Sequence, residues 1–399
     1  MTSSEQMRQW RGPTLFSYGF RPFFLFGSLW AALAMVTWIM LFIGLLSLPT
    51  RLDPVSWHAH EFLFGYLGAI IAGFLLTAVP NWTGRLPVVG WKLAALFGLW
   101  ALGRVAIALS SLLPTGLSEA IDLLFPFALG AMILREIIAG KNWKNLVVLV
   151  MLSLFTLANL IFHIEAAQGS FAAKGVGLRL GIASVLLMIS VIGGRIVPSF
   201  TRNWMVKSGQ KDLPPPPMRR FDKGTLVLTA VALWLWVIQP TALQSGIALI
   251  VLALLHLIRL NRWKGFNTVS EPLLWVLHLA YLLIPLGALL EGTAILRPDI
   301  LPPGSAQHLW MAGCFPLMTL AVMIRATLGH TGQELHADLA SIAIFASIIG
   351  AVVARLCAGI FPDFAMPLYS LSATLWIGAF VGFCIRYGPS LLRTKDAKQ

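Results

Sequence analysis

Charged residues are scarce in this chain of 399 residues: they make up 11% of it, against 58% hydrophobic residues. An ordinary soluble domain carries about a quarter charged residues, so the composition excludes that class. Cysteine is also rare, and Cys314, Cys357 and Cys384 show no spacing typical of zinc or disulfide sites. The sequence therefore has neither the polar surface of a soluble domain nor the thiols of a cysteine metal site.

Long apolar runs fill most of the chain instead. A membrane-crossing helix needs about 20 apolar residues, and about twelve runs approach or exceed that length. They lie at residues 23–48, 61–79, 91–113, 120–138, 146–164, 180–197, 225–238, 242–258, 272–290, 307–324, 339–361 and 364–386. The pattern predicts an all-α fold, a polytopic membrane helix bundle with about 12 transmembrane helices. We expect one transmembrane domain over residues 1–399.

The positive charges predict how this bundle is oriented. The net charge is +13, and most Lys and Arg residues fall in the two tails and in the loops that follow even-numbered spans. The positive-inside rule places both termini in the cytoplasm. The longest of these loops, 201–223, contains four consecutive prolines and is expected to be an extended cytoplasmic connector. Because the charge is dispersed over short loops, it indicates topology and not a nucleic-acid partner.

Eight histidines are the main candidates for chemistry. Ionisable residues inside spans are costly and often functional, and imidazole is the commonest metal ligand. A single buried histidine can also be no more than a hydrogen-bonded contact between helices. The predicted topology sorts them into two groups. The outer group consists of His58, His60, His163 and His308, and the inner group consists of His256, His278, His330 and His336.

The outer group begins at a predicted helix start, where Asp53 is a typical N-cap. His58 and His60 then point in opposite directions, because two residues turn a helix by about 200°. This spacing indicates two sites, or one ligand and one supporting group. Glu61 shares a face with His58. His308 is expected in the first turn of the tenth span, after a cap at Pro302, Pro303 and Gly304 and one turn before Met311.

In the inner group, His278 lies one to two turns inside the ninth span, and His330 lies between glycines that permit close approach of a ligand. His256 can instead be an interfacial residue, and His336 is expected in a solvated loop. Arg195 and Arg325 end spans on the predicted cytoplasmic side. They either extend to the headgroups or neutralise the carboxylates of a bound cofactor.

Several motifs together resemble the NnrS family. They are GFRPFF at 19–24, WHAHE at 57–61, GFLLTAVPNWTG at 73–84, GGR at 193–195, FTRNW at 200–204, LH at 277–278 and RATLGHTG at 325–332. The resemblance covers nearly the whole chain. It implies a multi-pass protein of the bacterial inner (plasma) membrane that contains haem and copper and is associated with the response to nitric oxide and nitrosative stress.

The resemblance names cofactors but assigns no ligands. The candidate metal ligands are seven histidines. The first five are His58, His60, His278, His308 and His330, and the other two, which rank second, are His163 and His256. The candidate supporting or cofactor-anchoring residues are Glu61, Arg195, Asn203 and Arg325. We expect the protein to bind or turn over nitric oxide at a histidine-ligated metal among membrane lipids. The alternative is a secondary transporter for a metal or a small anion, which predicts internal pseudo-symmetry and broken helices.

Overall fold

The protein is described by a computed structural model, which covers residues 10–84, 87–299 and 305–393. Over these ranges the chain is helical and contains no strand. Twelve of the described helices are long and apolar enough to cross a membrane. We number them α1 to α12: Phe20–Phe42, Pro54–Thr83, Trp91–Ala108, Leu117–Ala139, Trp143–Ala167, Val176–Lys207, Arg220–Ile238, Leu243–Asn261, Pro272–Leu296, Ala306–His330, Leu339–Ile360 and Pro362–Leu392.

The all-α fold class and the twelve spans are confirmed in number and order. Polar caps set several of the boundaries. The Asp53 carboxylate accepts hydrogen bonds from the backbone N–H groups of Val55 and Ser56 at 3.0 Å, and Pro54 occupies the first helical position. The predicted start of α2 is therefore correct. The predicted cap at Pro302, Pro303 and Gly304 lies outside the described residues.

The connector between α6 and α7 is shorter than expected. We predicted an extended loop over 201–223, but α6 continues to Lys207 and α7 begins at Arg220. Residues 201–207 are more polar than a membrane span but contain no helix breaker, so the helix extends past the end of its apolar run. It stops before Gly209, whose φ of 74° is unfavourable for other residues. The consecutive prolines lie in the part that remains extended.

The chain divides into two compact units. The first contains residues 1–181, 327–333 and 380–399, and the second contains 182–326 and 334–379. In the first unit α2 packs against α1 and α4, and α4 also packs against α3 and α5. In the second unit α8 packs against α7 and α9, and α10 packs against α9 and α11. The single transmembrane domain over 1–399 stays a prediction.

Three of the spans contain a stretch of π-helix, at Glu61–Tyr66 in α2, Ile189–Gly193 in α6 and Leu309–Cys314 in α10. A π-helical turn holds one residue more than an α-helical turn, and such stretches are common at functional sites. Two of the three begin directly after a candidate histidine, His60 in α2 and His308 in α10. The irregular turns therefore direct attention to these two positions.

Candidate metal centre

A buried cluster of ionisable side chains lies in the first unit, where α2, α3, α4 and α5 contribute one or two residues each. Its members are almost completely inaccessible to solvent: His60, Glu61, Arg104, Asp122, Asn159 and His163. Only His60, Glu61 and His163 were among the residues that the sequence singled out. The structure adds a second carboxylate, a guanidinium group and an amide.

The Arg104 guanidinium links the two carboxylates of the cluster. Its Nη1 donates to Glu61 Oε1 at 2.7 Å, and its Nη2 donates to Asp122 Oδ1. Glu61 Oε2 accepts a further hydrogen bond from the Trp30 indole at 2.9 Å. Both carboxylates are thus held in position by donors on neighbouring helices, as buried charges require.

His60 lies between acceptors on both sides of its ring. Nδ1 is 3.0 Å from Glu61 Oε1, and Nε2 is 3.0 Å from Asn159 Oδ1 and 3.3 Å from Asp122 Oδ2. The Asn159 amide nitrogen donates to Asp122 at 2.7 Å, which leaves its oxygen facing His60. Since both ring nitrogens face acceptors only, the geometry fits a doubly protonated imidazolium.

His163 completes the cluster from α5. Its Nε2 donates to Asp122 Oδ2 at 3.0 Å, and its ring centre lies 4.8 Å from that of His60. One ligand atom each from His60, Asp122 and His163 lies within 4.8 Å of the other two. Two imidazoles and a carboxylate at this spacing are a donor set that metal ions such as copper and zinc accept.

The π-helical stretch explains how two consecutive residues serve one cluster. In a regular α-helix, residues i and i+1 do not face each other, yet the His60 ring and the Glu61 carboxylate hydrogen-bond in this site. The stretch also requires Gly65. A Cβ atom at that position would come within 2.7 Å of Arg104 Nη1 and 2.8 Å of Glu61 Oε2. Trp100 donates to the Gly65 carbonyl at 2.9 Å and thereby satisfies a carbonyl of the irregular turn.

A small cavity borders the cluster. Its volume is about 10 Å³, and Asp122 and Asn159 are its polar lining, while apolar side chains from α2, α4 and α5 form the remainder. This volume is about that of one water-sized probe. A diatomic molecule is of similar size, so the cavity can hold a small ligand but nothing larger.

The other outer histidines lie outside this cluster. His58 is stacked on Trp38, with ring centres 4.3 Å apart, and also contacts Phe62. The expectation that His58 and His60 point in different directions is therefore correct, and the Glu61 carboxylate contacts the His60 ring. His308 belongs to the second unit, where the Arg355 guanidinium approaches its ring nitrogens at 3.2 and 3.4 Å.

His256 belongs to a separate buried network in the second unit. Its Nε2 is 2.8 Å from Thr229 Oγ1, and its Nδ1 is 2.9 Å from the Tyr281 hydroxyl. Thr229 donates its own proton to the Thr225 carbonyl, so His256 Nε2 must be the donor and Nδ1 the acceptor. Both nitrogens of this neutral ring are therefore occupied, which is unfavourable for a metal ligand.

Arg259 closes this second network. Its Nε donates to Asp222 Oδ1 at 2.9 Å, and its Nη1 donates to the Tyr281 hydroxyl at 2.8 Å and to the Ser190 carbonyl at 2.9 Å. One guanidinium faces one carboxylate, so the network is electrically balanced without a further cation.

His278 is buried in the second unit and donates from Nε2 to Thr201 Oγ1 at 2.8 Å. Its Nδ1 has no hydrogen-bond partner in the described part of the chain. The Gly265 backbone closes the space beside that nitrogen, since a Cβ atom on Gly265 would come within 2.6 Å of it. His278 thus has a free lone pair but no room for a bulky ligand.

The remaining candidates are more accessible. His330 is exposed, and its ring lies beside those of Tyr18 and Phe20, with centres 5.1 and 5.4 Å away. Arg195 and Asn203 are exposed on α6. Arg325 lies over the Phe200 ring at 4.2 Å. Cofactor-anchoring roles for these arginines and for Asn203 stay predictions.

Sequence reasoning missed Asp122, Arg104 and Asn159. A signal was present for the first two, because each is an ionisable residue inside an apolar run and such residues are functional candidates by default. Asn159 carries no charge, and nothing in its sequence neighbourhood distinguishes it from an ordinary polar contact between helices.

The family of the chain follows from comparison with known proteins. The profile of the NnrS protein family matches residues 14–395. The chain therefore belongs to the NnrS family. No curated protein matches the sequence.

Proposed function

We propose, from the premise that the chain is an NnrS-family membrane protein, that it acts in the bacterial response to nitric oxide and binds a copper ion through His60, Asp122 and His163. Family membership supports the connection with nitric oxide. The twelve apolar helices support a multi-pass membrane location, and we assign the protein to the inner (plasma) membrane. The cluster in the first unit supports the metal.

One observation carries the metal assignment: three potential ligand atoms converge in a buried site. Four ligands around an ion at 2.0–2.1 Å in a tetrahedral site lie about 3.3 Å from one another. Asp122 Oδ2 lies 3.3 Å from His60 Nε2 and 3.0 Å from His163 Nε2. Two of the three ligand separations therefore already suit an ion, and the third, between the two imidazoles, is within 4.8 Å.

The charges of the cluster favour a cation. Glu61 and Asp122 carry two negative charges and Arg104 carries one positive charge, so one further positive charge is needed for neutrality. In the absence of metal, a second proton on His60 supplies it. A metal ion held by His60 Nε2 would replace that proton, so the site would bind metal in exchange for a proton, and a divalent ion would leave it with one net positive charge. Nitrogen and oxygen ligands suit Cu(II), which is bound more tightly than the other divalent ions of the first transition row.

The surrounding residues hold the ligands and exclude water. Glu61 accepts from His60 Nδ1, and this contact orients the ring so that Nε2 faces Asp122. A carboxylate on the second ring nitrogen is a common support for a metal-binding histidine. When bound, copper supplies an open coordination position and a one-electron couple. The apolar cavity beside Asp122 can admit nitric oxide, which is small and uncharged.

Haem, the second cofactor that the family resemblance implies, does not fit this cluster. The adjoining cavity of about 10 Å³ has no room for a macrocycle. His278 offers a free Nδ1, but the Gly265 backbone blocks it. The proposal for this centre therefore concerns a bare metal ion.

The experiment that tests the centre is copper analysis of purified protein. Wild-type protein loaded with Cu(II) and freed of unbound ions should retain about one copper per chain. We expect His163→Gln to lower copper affinity at least ~10-fold, which is the usual cost of disturbing a metal site. His256→Gln is the matched control, because it removes an equally buried imidazole from the second unit and should retain wild-type copper. Equal copper affinity in wild type and His163→Gln would contradict the assignment.

The physiological part has its own test. Cells that lack the gene should grow more slowly with a nitric oxide donor, and wild-type protein should restore growth. The His163→Gln variant should fail to do so at equal abundance in the membrane, whereas His256→Gln should succeed. Full rescue by His163→Gln would separate the copper site from the nitric oxide response.

The transporter alternative gains support from one observation, the π-helical stretches that interrupt three spans. Irregular helices are typical of transport sites. Uptake of copper into vesicles that contain the purified protein distinguishes the two functions. A resident metal centre retains copper without net transport, whereas a transporter accumulates it in the lumen.

A further inference from the structure

A second cavity in the first unit lies apart from the metal cluster. Its volume is about 480 Å³, and its polar lining includes Arg21, His330, Gln333, Ser390 and Arg393. Two guanidinium groups and an imidazole therefore face a common space. The residues that line it, all of which belong to the described part of the chain, include no carboxylate side chain. The cavity is thus a site of concentrated positive charge.

The ends of three spans meet at this cavity. Arg21 lies in the first turn of α1, His330 is the last residue of α10, and Arg393 directly follows α12. The end of an apolar span lies near the boundary between hydrocarbon and headgroups. The cavity is therefore expected at the depth of the lipid phosphates.

Arg21 is held in a fixed position. It is 9% exposed, and its Nη1 donates to the carbonyls of Ser390, Leu391 and Arg393 at 3.3, 2.8 and 3.1 Å. These contacts satisfy the last carbonyls of α12, which would otherwise lack partners. No ion pair between Arg21 and an acidic side chain occurs among the described residues. Its charge therefore remains available to an anion in the cavity.

The other polar groups are also positioned in advance. Gln333 donates to the hydroxyls of Thr331 and Ser390 at 2.8 and 2.9 Å. The Ser390 hydroxyl accepts this bond, which leaves its own proton for a ligand. His330 is positioned beside the rings of Tyr18 and Phe20. The polar groups that line the cavity are therefore held in place by contacts within the protein.

We infer that this cavity binds the phosphate group of an anionic phospholipid, with Arg21, Arg393 and His330 as its donors. Arginine pairs well with phosphate because its planar fork donates two parallel hydrogen bonds. A lipid is favoured over free phosphate because the site lies at the ends of three apolar spans. On the predicted topology this is the cytoplasmic side, where anionic lipids attract basic groups.

The test uses full-length protein, purified in detergent and freed of lipid. Dioleoyl phosphatidylglycerol should bind and raise the midpoint of thermal unfolding, whereas dioleoyl phosphatidylcholine with the same acyl chains should have little effect. Arg393→Gln should weaken phosphatidylglycerol binding about tenfold, the effect of losing one charge-assisted hydrogen bond. His330→Gln should weaken it less. Arg21 also caps α12, so Arg393→Gln is the primary variant.

The matched control is Arg386→Gln, which removes an arginine near the end of α12 that does not line the cavity. It should bind phosphatidylglycerol like the wild type. Equal weakening in Arg386→Gln and Arg393→Gln would mean that the lipid effect is general electrostatics, and would overturn the proposal.

Two further measurements distinguish the lipid from other molecules that could occupy the cavity. Inorganic phosphate added alone should stabilise the protein much less than the lipid, and an equal effect would assign the cavity to a free anion. Absorption spectra of the same samples should be identical in wild type and Arg393→Gln. Loss of a Soret band in Arg393→Gln, with lipid binding unchanged, would assign the cavity to a haem cofactor and overturn the lipid proposal.

Discussion

The two compact units each bury a network built from an arginine, at least one acidic residue and a histidine, but the two networks differ in their balance of charge. In the first unit, Arg104 faces both Glu61 and Asp122. In the second unit, Asp222 is the one carboxylate paired with Arg259 in the described part of the chain. The first network needs another cation, whereas the second is already neutral.

The hydrogen bonds of the two histidines reflect this difference. His60 has acceptors at both ring nitrogens, while His256 has one donor and one acceptor. A ring between two acceptors holds an extra proton, and a metal ion can replace that proton. A ring between a donor and an acceptor is complete as a neutral group. The comparison teaches that the partners of a buried histidine, and not its depth in the membrane, distinguish a candidate ligand from a structural contact.

The largest effect is expected from removing the carboxylate charge in each network. Asp122→Asn should abolish copper binding and lower the free energy of unfolding by about 3–5 kcal/mol, because it breaks a buried ion pair. Asp222→Asn should cost similar stability but leave copper binding intact. Copper analysis and thermal unfolding of both variants check this. Retention of copper by Asp122→Asn would contradict the proposed difference in metal binding between the two networks.

A second prediction concerns the proton on His60. Loading the wild-type protein with Cu(II) at neutral pH should release about one proton per copper from the cluster, because a ligand nitrogen must lose its proton. A pH-indicator dye in weakly buffered solution measures the release. Asp122→Asn should release none, and Asp222→Asn should behave like the wild type. Copper binding without proton release would contradict the doubly protonated state of His60.

An intermediate effect is expected at one glycine in each of two π-helical stretches, Glu61–Tyr66 in α2 and Leu309–Cys314 in α10. Gly65→Ala should cost about 1–3 kcal/mol of stability and weaken copper binding, because the new methyl group lies in the space of the Arg104–Glu61 ion pair. Gly313→Ala should cost less and leave copper unaffected, since its nearest neighbours are the aliphatic side chains of Leu283 and Val352 at 3.0 Å. Copper titration and thermal unfolding distinguish the two variants.

A smaller effect is expected at the tryptophans that donate to buried glutamates. Trp30→Phe removes the hydrogen bond to Glu61 and should lower copper affinity modestly, with a stability loss of about 1 kcal/mol. Trp236→Phe removes the corresponding bond to Glu291 in the second unit and should leave copper binding unchanged. If both variants lost copper equally, the effect of Trp30 would be attributed to general destabilisation.

The smallest effect on the metal is expected at His58. Its ring stacks on Trp38 and contacts Phe62, outside the cluster. His58→Ala should therefore retain wild-type copper and lose the stability of this aromatic contact. Copper analysis of His58→Ala and of His60→Ala, which should lose the metal, tests whether the two histidines have separate roles. Loss of copper from His58→Ala would show that the cluster extends further than the described contacts.

The membrane fold was predictable from the sequence because apolar runs of sufficient length determine it. The ends of the spans were less predictable. At the end of α6, residues 201–207 stay helical although their composition resembles a loop. The opposite orientations of His58 and His60 followed from helical geometry alone, and the structure agrees with them.

The candidate site was only half predictable. The sequence indicated His60, Glu61 and His163 separately, but their convergence with Asp122 and Asn159 depends on how α2, α4 and α5 pack. The π-helical stretch after His60 has no sequence signal of its own, since it depends on tertiary contacts such as that between Trp100 and the Gly65 carbonyl. Interhelical packing is the information that a single sequence does not carry.

The π-helical stretch Glu61–Tyr66 also determines the register of α2. One extra residue in a turn shifts every later side chain by about 100° relative to the residues before it. Removal of one residue from this stretch would restore a regular helix. The segment from Leu67 to Thr83 would then rotate by about a quarter turn relative to His60. The ligand residues and the later packing face of α2 thus point in different directions. Insertion or deletion of a single residue in this stretch would change the angle between them.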